Sequence, residues 1–315
     1  MIKKMSSILL LVFVFGGALL LVSVVSATLN TIATATLTIT NSDPVASNMA
    51  ITNSAPIVLT AGTTTTVTAT FTVTDNNGCE DIDSYASLKT SAKFFRTDLT
   101  SACTPDDANC YLMTCGPKTG CTPGGTDIDA TYTCTAAVQF YADATGAGSP
   151  NAATDWTASA TPEDSAHDGG TVSSAAKEMG TLTALDAAAA INYSSLTLGS
   201  NTGTTDQTTA IANKGNRIID TEVNGYGANS GDTTNAMACT IGTIPIANEK
   251  YGLVSAATSY ASLTGTLSGT AFQITSFNLS PGLSASKNIY WGMALPSTGV
   301  GGTCSGTVVF TPVTH

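Results

Sequence analysis

Residues 62–83 read GTTTTVTATFTVTDNNGCEDID. From Val67 to Val73 the side chains alternate, with Val67, Ala69, Phe71 and Val73 on one side and Thr68, Thr70 and Thr72 on the other. A two-residue period separates the faces of a β-strand, and branched Cβ atoms favour that pleated surface. Residues 63–74 are therefore predicted to form a strand whose apolar face lies on a core. The alternation ends in Asp75-Asn76-Asn77-Gly78, a turn cluster, and Cys79, Glu80, Asp81 and Asp83 follow within five residues.

The same short periods recur along the chain. Before the turn lie 31–40 (TIATATLTIT) and 55–60; after it come 85–95 (YASLKTSAKFF), 131–141 (TYTCTAAVQFY) and 155–161 (DWTASAT). Residues 162–180 carry little apolar periodicity and read as a linker or a connecting strand. The pattern then restarts around Ile191, Tyr193, Leu196 and Leu198. Residues 206–213 and 217–223 flank Lys214-Gly215-Asn216, a hairpin signal, and strands are predicted at 272–279, 287–295 and 306–311. One helix-like stretch, 184–190 (ALDAAAA), is too short to change the class. Many short strands with frequent turns predict an all-β chain of two consecutive antiparallel β-sandwich domains rather than βαβ units. The predicted boundaries are 1–27 for a leader, 28–45 for an N-terminal strand segment, 46–165 for the first domain, 166–180 for a linker and 181–315 for the second.

The leader reading rests on Lys3 and Lys4 ahead of an apolar run of about 18 residues and on small residues at Val25-Ser26-Ala27. That is the order of a secretory signal peptide cut after Ala27; the alternative is retention as an N-terminal anchor, which would be the only membrane contact. Both place the remaining chain outside the cell, secreted or at the cell surface. Loss of Lys3 and Lys4 leaves 9 basic against 22 acidic residues, which argues against a nucleic-acid footprint. Only 10% of the chain is charged and 43% is hydrophobic, so the composition is not that of a disordered acidic tail.

Eight cysteines in an exported chain read as disulfides. Six lie between Cys79 and Cys134, and Cys239 and Cys304 stand apart. With pairs confined to each half, the second half has one choice, Cys239–Cys304. In the first, nearest spacing favours Cys103–Cys110 and Cys115–Cys121, leaving Cys79–Cys134. Zinc is the competing reading, but the spacing from Cys103 to Cys121 lacks the C-x-x-C pair of a four-thiolate site.

Three stretches of the first half, TATFTVTDNNGCEDI, YTCTAAVQFYADAT and DWTASATPEDS, resemble Ig-like and PKD-like modules of secreted prokaryotic cell-surface proteins. Tyr132-Thr133-Cys134 is similar to the tyrosine corner of Ig domains, although Cys79 follows its strand instead of lying inside it. In the second half, LTLGSNTGTTDQTTAIANKGNRIIDTEVNG and NIYWGMALPSTGVGGTCSGTVVF resemble a second β-sandwich of such proteins. The resemblance implies adhesive, spacing or wall-coat roles without a shared catalytic motif. Expected partners are other surface proteins, glycans or copies of the chain itself, including a fibre in which residues 31–40 complete a neighbour's sheet.

Two acidic clusters are candidate ion sites. Asp75, Asn77, Asp81 and Asp83 offer hard oxygens suited to Ca²⁺, yet the glycine falls at the fourth position of the loop and not at the sixth, as an EF-hand requires. The competing reading is an Asn-Gly turn with solvated acids. Asp106, Asp107 and Asn109 lie between Cys103 and Cys110 and read as a closed, exposed loop. Catalysis is poorly supported: His167 lies in the weakly patterned connection, His315 is the last residue, and no pair among Glu80, Glu163, Glu222, Glu249 and the aspartates is singled out by context. Trp156 and Trp291 fall in alternating strands and read as core. Asn192-Tyr193-Ser194 and Asn278-Leu279-Ser280 match the N-glycosylation acceptor.

Overall fold

The computed structural model describes residues 8–15, 18–25, 34–82, 91–122, 124–164, 168–188, 190–255 and 259–315. Two units are separated by contact, Met1–Asn41 and Ser42–His315. In the first, β1 (Ile8–Phe15) and β2 (Ala18–Val25) pair antiparallel from Ile8↔Val25 to Phe15↔Ala18. Residues 34–40, part of a predicted strand, form no ladder, and Leu37 and Ile39 are exposed. Alternation names the two faces of a strand but supplies neither the edge it pairs with nor the core it covers.

The larger unit is built from antiparallel ladders. Two sheets enclose the first core. One runs β3 (Val45–Ile51), β4 (Thr65–Thr74), β8 (Asp129–Val138), β7 (Thr114–Cys115); the other runs β10 (Val172–Ser173), β9 (Trp156–Ala160), β5 (Lys93–Arg96), β6 (Cys110–Leu112). The quoted stretch is β4, with Val67, Ala69, Phe71 and Val73 buried as the alternation requires. It pairs with β8 without a break from Thr65↔Val138 to Thr74↔Asp129. Phe71 faces Tyr132 across this ladder, with ring centroids 5.5 Å apart. The opposing sheet contributes Phe94 stacked on Trp156 at 4.8 Å, and the Trp156 indole donates to Asp143 O at 3.0 Å.

The second core lies between β11 (Leu185–Ala187), β12 (Gln207–Asn213), β19 (Ser286–Met293), β16 (Glu249–Gly252), β17 (Gly265–Thr266) and the sheet β18 (Phe272–Leu279), β13 (Ile219–Tyr226), β21 (Thr307–Thr314). Ile211, Ile289 and Trp291 meet Ile219, Val223, Ile274, Phe277 and Leu279 there. A small third cluster, Ala236, Ile244 and Met293, sits against β15 (Thr243–Pro245), β14 (Asn235–Ile241) and β20 (Gly301–Ser305). Among the described residues no helix is long and apolar enough to cross a membrane.

Several expectations are corrected. Residues 55–60 form no strand; Ile57 makes one isolated bridge to Met179. Of the two readings of 162–180, a linker or a connecting strand, the described residues fit the second: β10 pairs with β9 and Met179 is fully buried in the first core. Helix-like 184–190 instead contains β11, because pairing with β12 overrides a weak local preference. Residues 191–198 carry no strand. The hairpin predicted across Lys214-Gly215-Asn216 does not exist, since β12 joins β19 while β13 joins β18 and β21. The turn is a corner between two sheets. Buried Asn213 holds it, its amide donating to Arg217 O (2.7 Å) and Leu279 O (3.0 Å) and its Oδ1 accepting from Gly215 N (2.8 Å).

All eight cysteines are paired. Cys103–Cys110 and Cys239–Cys304 form as expected, whereas the other four exchange partners into Cys79–Cys121 and Cys115–Cys134. The reason is register: Cys115 on β7 lies directly opposite Cys134 on β8, while Cys79 N–H donates to Asp127 O, beside the loop that carries Cys121. On the chain-entropy account the two longest closures, of 42 and 65 residues, each stabilise by about 4 kcal/mol. Non-reducing peptide mapping is expected to recover these four links and no free thiol; a peptide joining Cys79 to Cys134 would refute the exchange.

Candidate metal centre

The acidic turn after β4 is shaped by its backbone. Gly78, at φ +115°, donates to Asp75 O at 3.0 Å, and Asp81 N–H donates to Gly78 O at 3.0 Å. This tight path turns Asp81 back toward Asp75. A third carboxylate arrives from a distant segment: Asp164 follows β9 and its backbone bridges Ile82. One carboxylate oxygen from each of Asp75, Asp81 and Asp164 lies within 4.8 Å of the others. Asp75 is 0% exposed and Asp164 2%, and Asp81 is half-buried.

Asp75 Oδ1 accepts the Asn77 N–H at 2.7 Å, whereas its Oδ2 is buried without a hydrogen-bond partner. Burial holds the Asp75 carboxyl above its usual range; the Asn77 hydrogen bond opposes this, and the Asp81 and Asp164 charges add to it.

Of the four residues predicted to hold calcium, two meet here. Asn77 does not turn its amide oxygen inward, since Oδ1 accepts the Ser42 N–H at 2.6 Å. Asp83 lies outside the described residues. Glu80 is directed away and accepts the Gly124 N–H. Sequence reasoning misses Asp164 because its neighbours, Thr161-Pro162-Glu163, show no ligand pattern, and only the crossing of two sheets brings it near. The second acidic loop serves its own backbone. Asp106 Oδ1 accepts N–H groups from Ala108 (2.8 Å), Asn109 (2.6 Å) and Cys110 (3.3 Å), and the Tyr111 hydroxyl donates to Asp107 O.

A different environment surrounds Glu249, which is 2% exposed. It lines a cavity of about 400 Å³ with Ile191, Tyr193, Met237, Val308 and Phe310. The Tyr193 hydroxyl donates to Glu249 Oε1 at 2.6 Å. Burial pushes the Glu249 carboxyl up to about 7, against the partial opposition of this hydrogen bond. His315 lies 3.1 Å from the Asp220 carboxylate, and His167 is outside the described residues. Trp156 and Trp291 are both fully buried.

No protein-family model matches the chain, and no curated protein matches it. A solved structure named BspA_C_WT is similar at 10% identity and a TM-score of 0.22, over 85% of this chain and 96% of that one; an overlap this slight transfers neither fold nor function.

Proposed function

We propose that the chain is an exported, non-catalytic β protein that works as a structural or adhesive module at the cell surface, its two large cores being consecutive antiparallel Ig-like sandwiches. The observation that carries this reading is the cysteine chemistry. Eight cysteines closed into four disulfides suit an oxidising compartment. The leader-like residues 1–27 support the same compartment. Thr131, Thr133 and Thr135 are exposed on β8, opposite Thr72, Thr70 and Thr68 of β4. Such hydroxyl-rich faces suit contact with surface proteins or glycans.

A second reading has its own support. Residues 34–39 alternate, form no ladder and expose Leu37 and Ile39, which is the pattern a strand needs to complete the sheet edge of another copy. Electron microscopy of the purified full chain separates the two. Discrete single-copy particles are the expected result for a display or adhesive module; filaments or ordered arrays would move the assignment to a subunit assembled by strand donation.

A further inference from the structure

We propose that Asp75, Asp81 and Asp164 form a binding site for a hard divalent cation, calcium, which ties the loop leaving β4 to the segment leaving β9. The geometry is independent of the compartment in which the chain works. Two ligand oxygens each about 2.4 Å from a shared calcium ion can stand up to about 4.8 Å apart, and the three carboxylates fall inside that limit. The buried Oδ2 of Asp75 supplies a second, separate observation. A carboxylate oxygen taken out of water needs a hydrogen bond or an ion, and this one has no hydrogen-bond partner. It belongs to a fully buried side chain with two like-charged groups beside it.

The donor set selects the ion. Carboxylate oxygen is the preferred donor of calcium, which takes six to eight oxygens with flexible geometry. Zinc and softer metals favour sulfur or imidazole, and every cysteine is closed in a disulfide. Magnesium retains most of its water and demands octahedral order, which a cluster with two nearly inaccessible carboxylates serves poorly. The Lys118 ammonium donates to the carbonyls of Cys79 (2.7 Å), Ile82 (2.6 Å) and Glu80 (3.3 Å). It therefore holds the backbone around the acids.

The test uses the full chain after treatment with a chelator. Calcium chloride up to about 10 mM is expected to give a calorimetric binding signal and to raise the melting temperature by roughly 2–5 °C, with magnesium chloride giving a smaller shift at the same concentration. Asp75→Asn and Asp164→Asn should each weaken the response about tenfold or more. Asp186→Asn, on the exposed face of β11, should respond like the parent. Asp81→Asn provides a variant at a half-buried position if either buried amide impairs folding, and it should weaken the response in the same way. Absence of both heat and thermal shift in the parent would overturn the site, as would a full calcium response in Asp164→Asn.

Discussion

Phe71→Ala is expected to lower the stability of the first core by about 3–5 kcal/mol, the range for a large buried ring replaced by a methyl group with a cavity left behind. Phe71 is fully buried, stacks on Tyr132 and sits mid-way along the longest ladder of its sheet. Thr70→Ala, one residue away on the opposite face, should cost well under about 1 kcal/mol. Denaturant unfolding followed by fluorescence measures both, because Trp156 reports from this core and the only other tryptophan, Trp291, from the second. Equal damage from the two substitutions would mean that the face assignment is wrong, since a one-residue slip exchanges the faces.

Glu249→Gln is the second large effect, and it depends on pH. The folded-state carboxyl titrates near 7 and the unfolded one near 4.5. Between those values the folded chain holds more protons than the unfolded chain, so stability falls as pH rises. The contribution is fully present below about pH 4.5 and lost once pH passes about 7, a difference of about 3 kcal/mol. Glutamine keeps an acceptor for the Tyr193 hydroxyl and removes the charge. The variant should therefore be more stable than the parent at pH 8 by about 2–3 kcal/mol and nearly equal to it at pH 4. Denaturant midpoints for both proteins across this range measure the difference. A parallel pair of profiles would show that Glu249 stays solvated enough to titrate normally.

How much is legible in the sequence depends on whether a feature is local. The β4 face, the β8 strand, β18 over Phe272–Leu279 and the burial of both tryptophans follow from two-residue alternation and apolar content. Partner choice does not. Residues 206–223 read as a hairpin because a short polar turn joins two alternating strands, but alternation is equally satisfied when the strands face each other from different sheets, as β12 and β13 do. The cysteine exchange has the same origin: Cys115 pairs with Cys134 because β7, only two residues long, lies beside β8, and nothing in a two-residue strand announces its neighbour. The acidic turn is visible as a cluster, yet Asp164, which follows β9 of the opposing sheet, has no local signature.

Asn216 joins the two large cores. Its amide nitrogen donates to Ala142 O (3.1 Å) and Gly180 O (2.9 Å), its Oδ1 accepts the Leu182 N–H (2.7 Å), and next to it Gly62 N–H donates to Lys214 O (3.1 Å). No disulfide crosses between the cores; this polar seam, the Lys214 ammonium 5.9 Å from the Phe140 ring and Leu182, packed on the first core, couple them. A seam of a few hydrogen bonds, each worth about 1 kcal/mol net, is small beside the disulfide closures inside either half. Calorimetry is therefore expected to resolve two overlapping transitions with a modest shared term, and a single cooperative peak would show that the seam couples the cores fully.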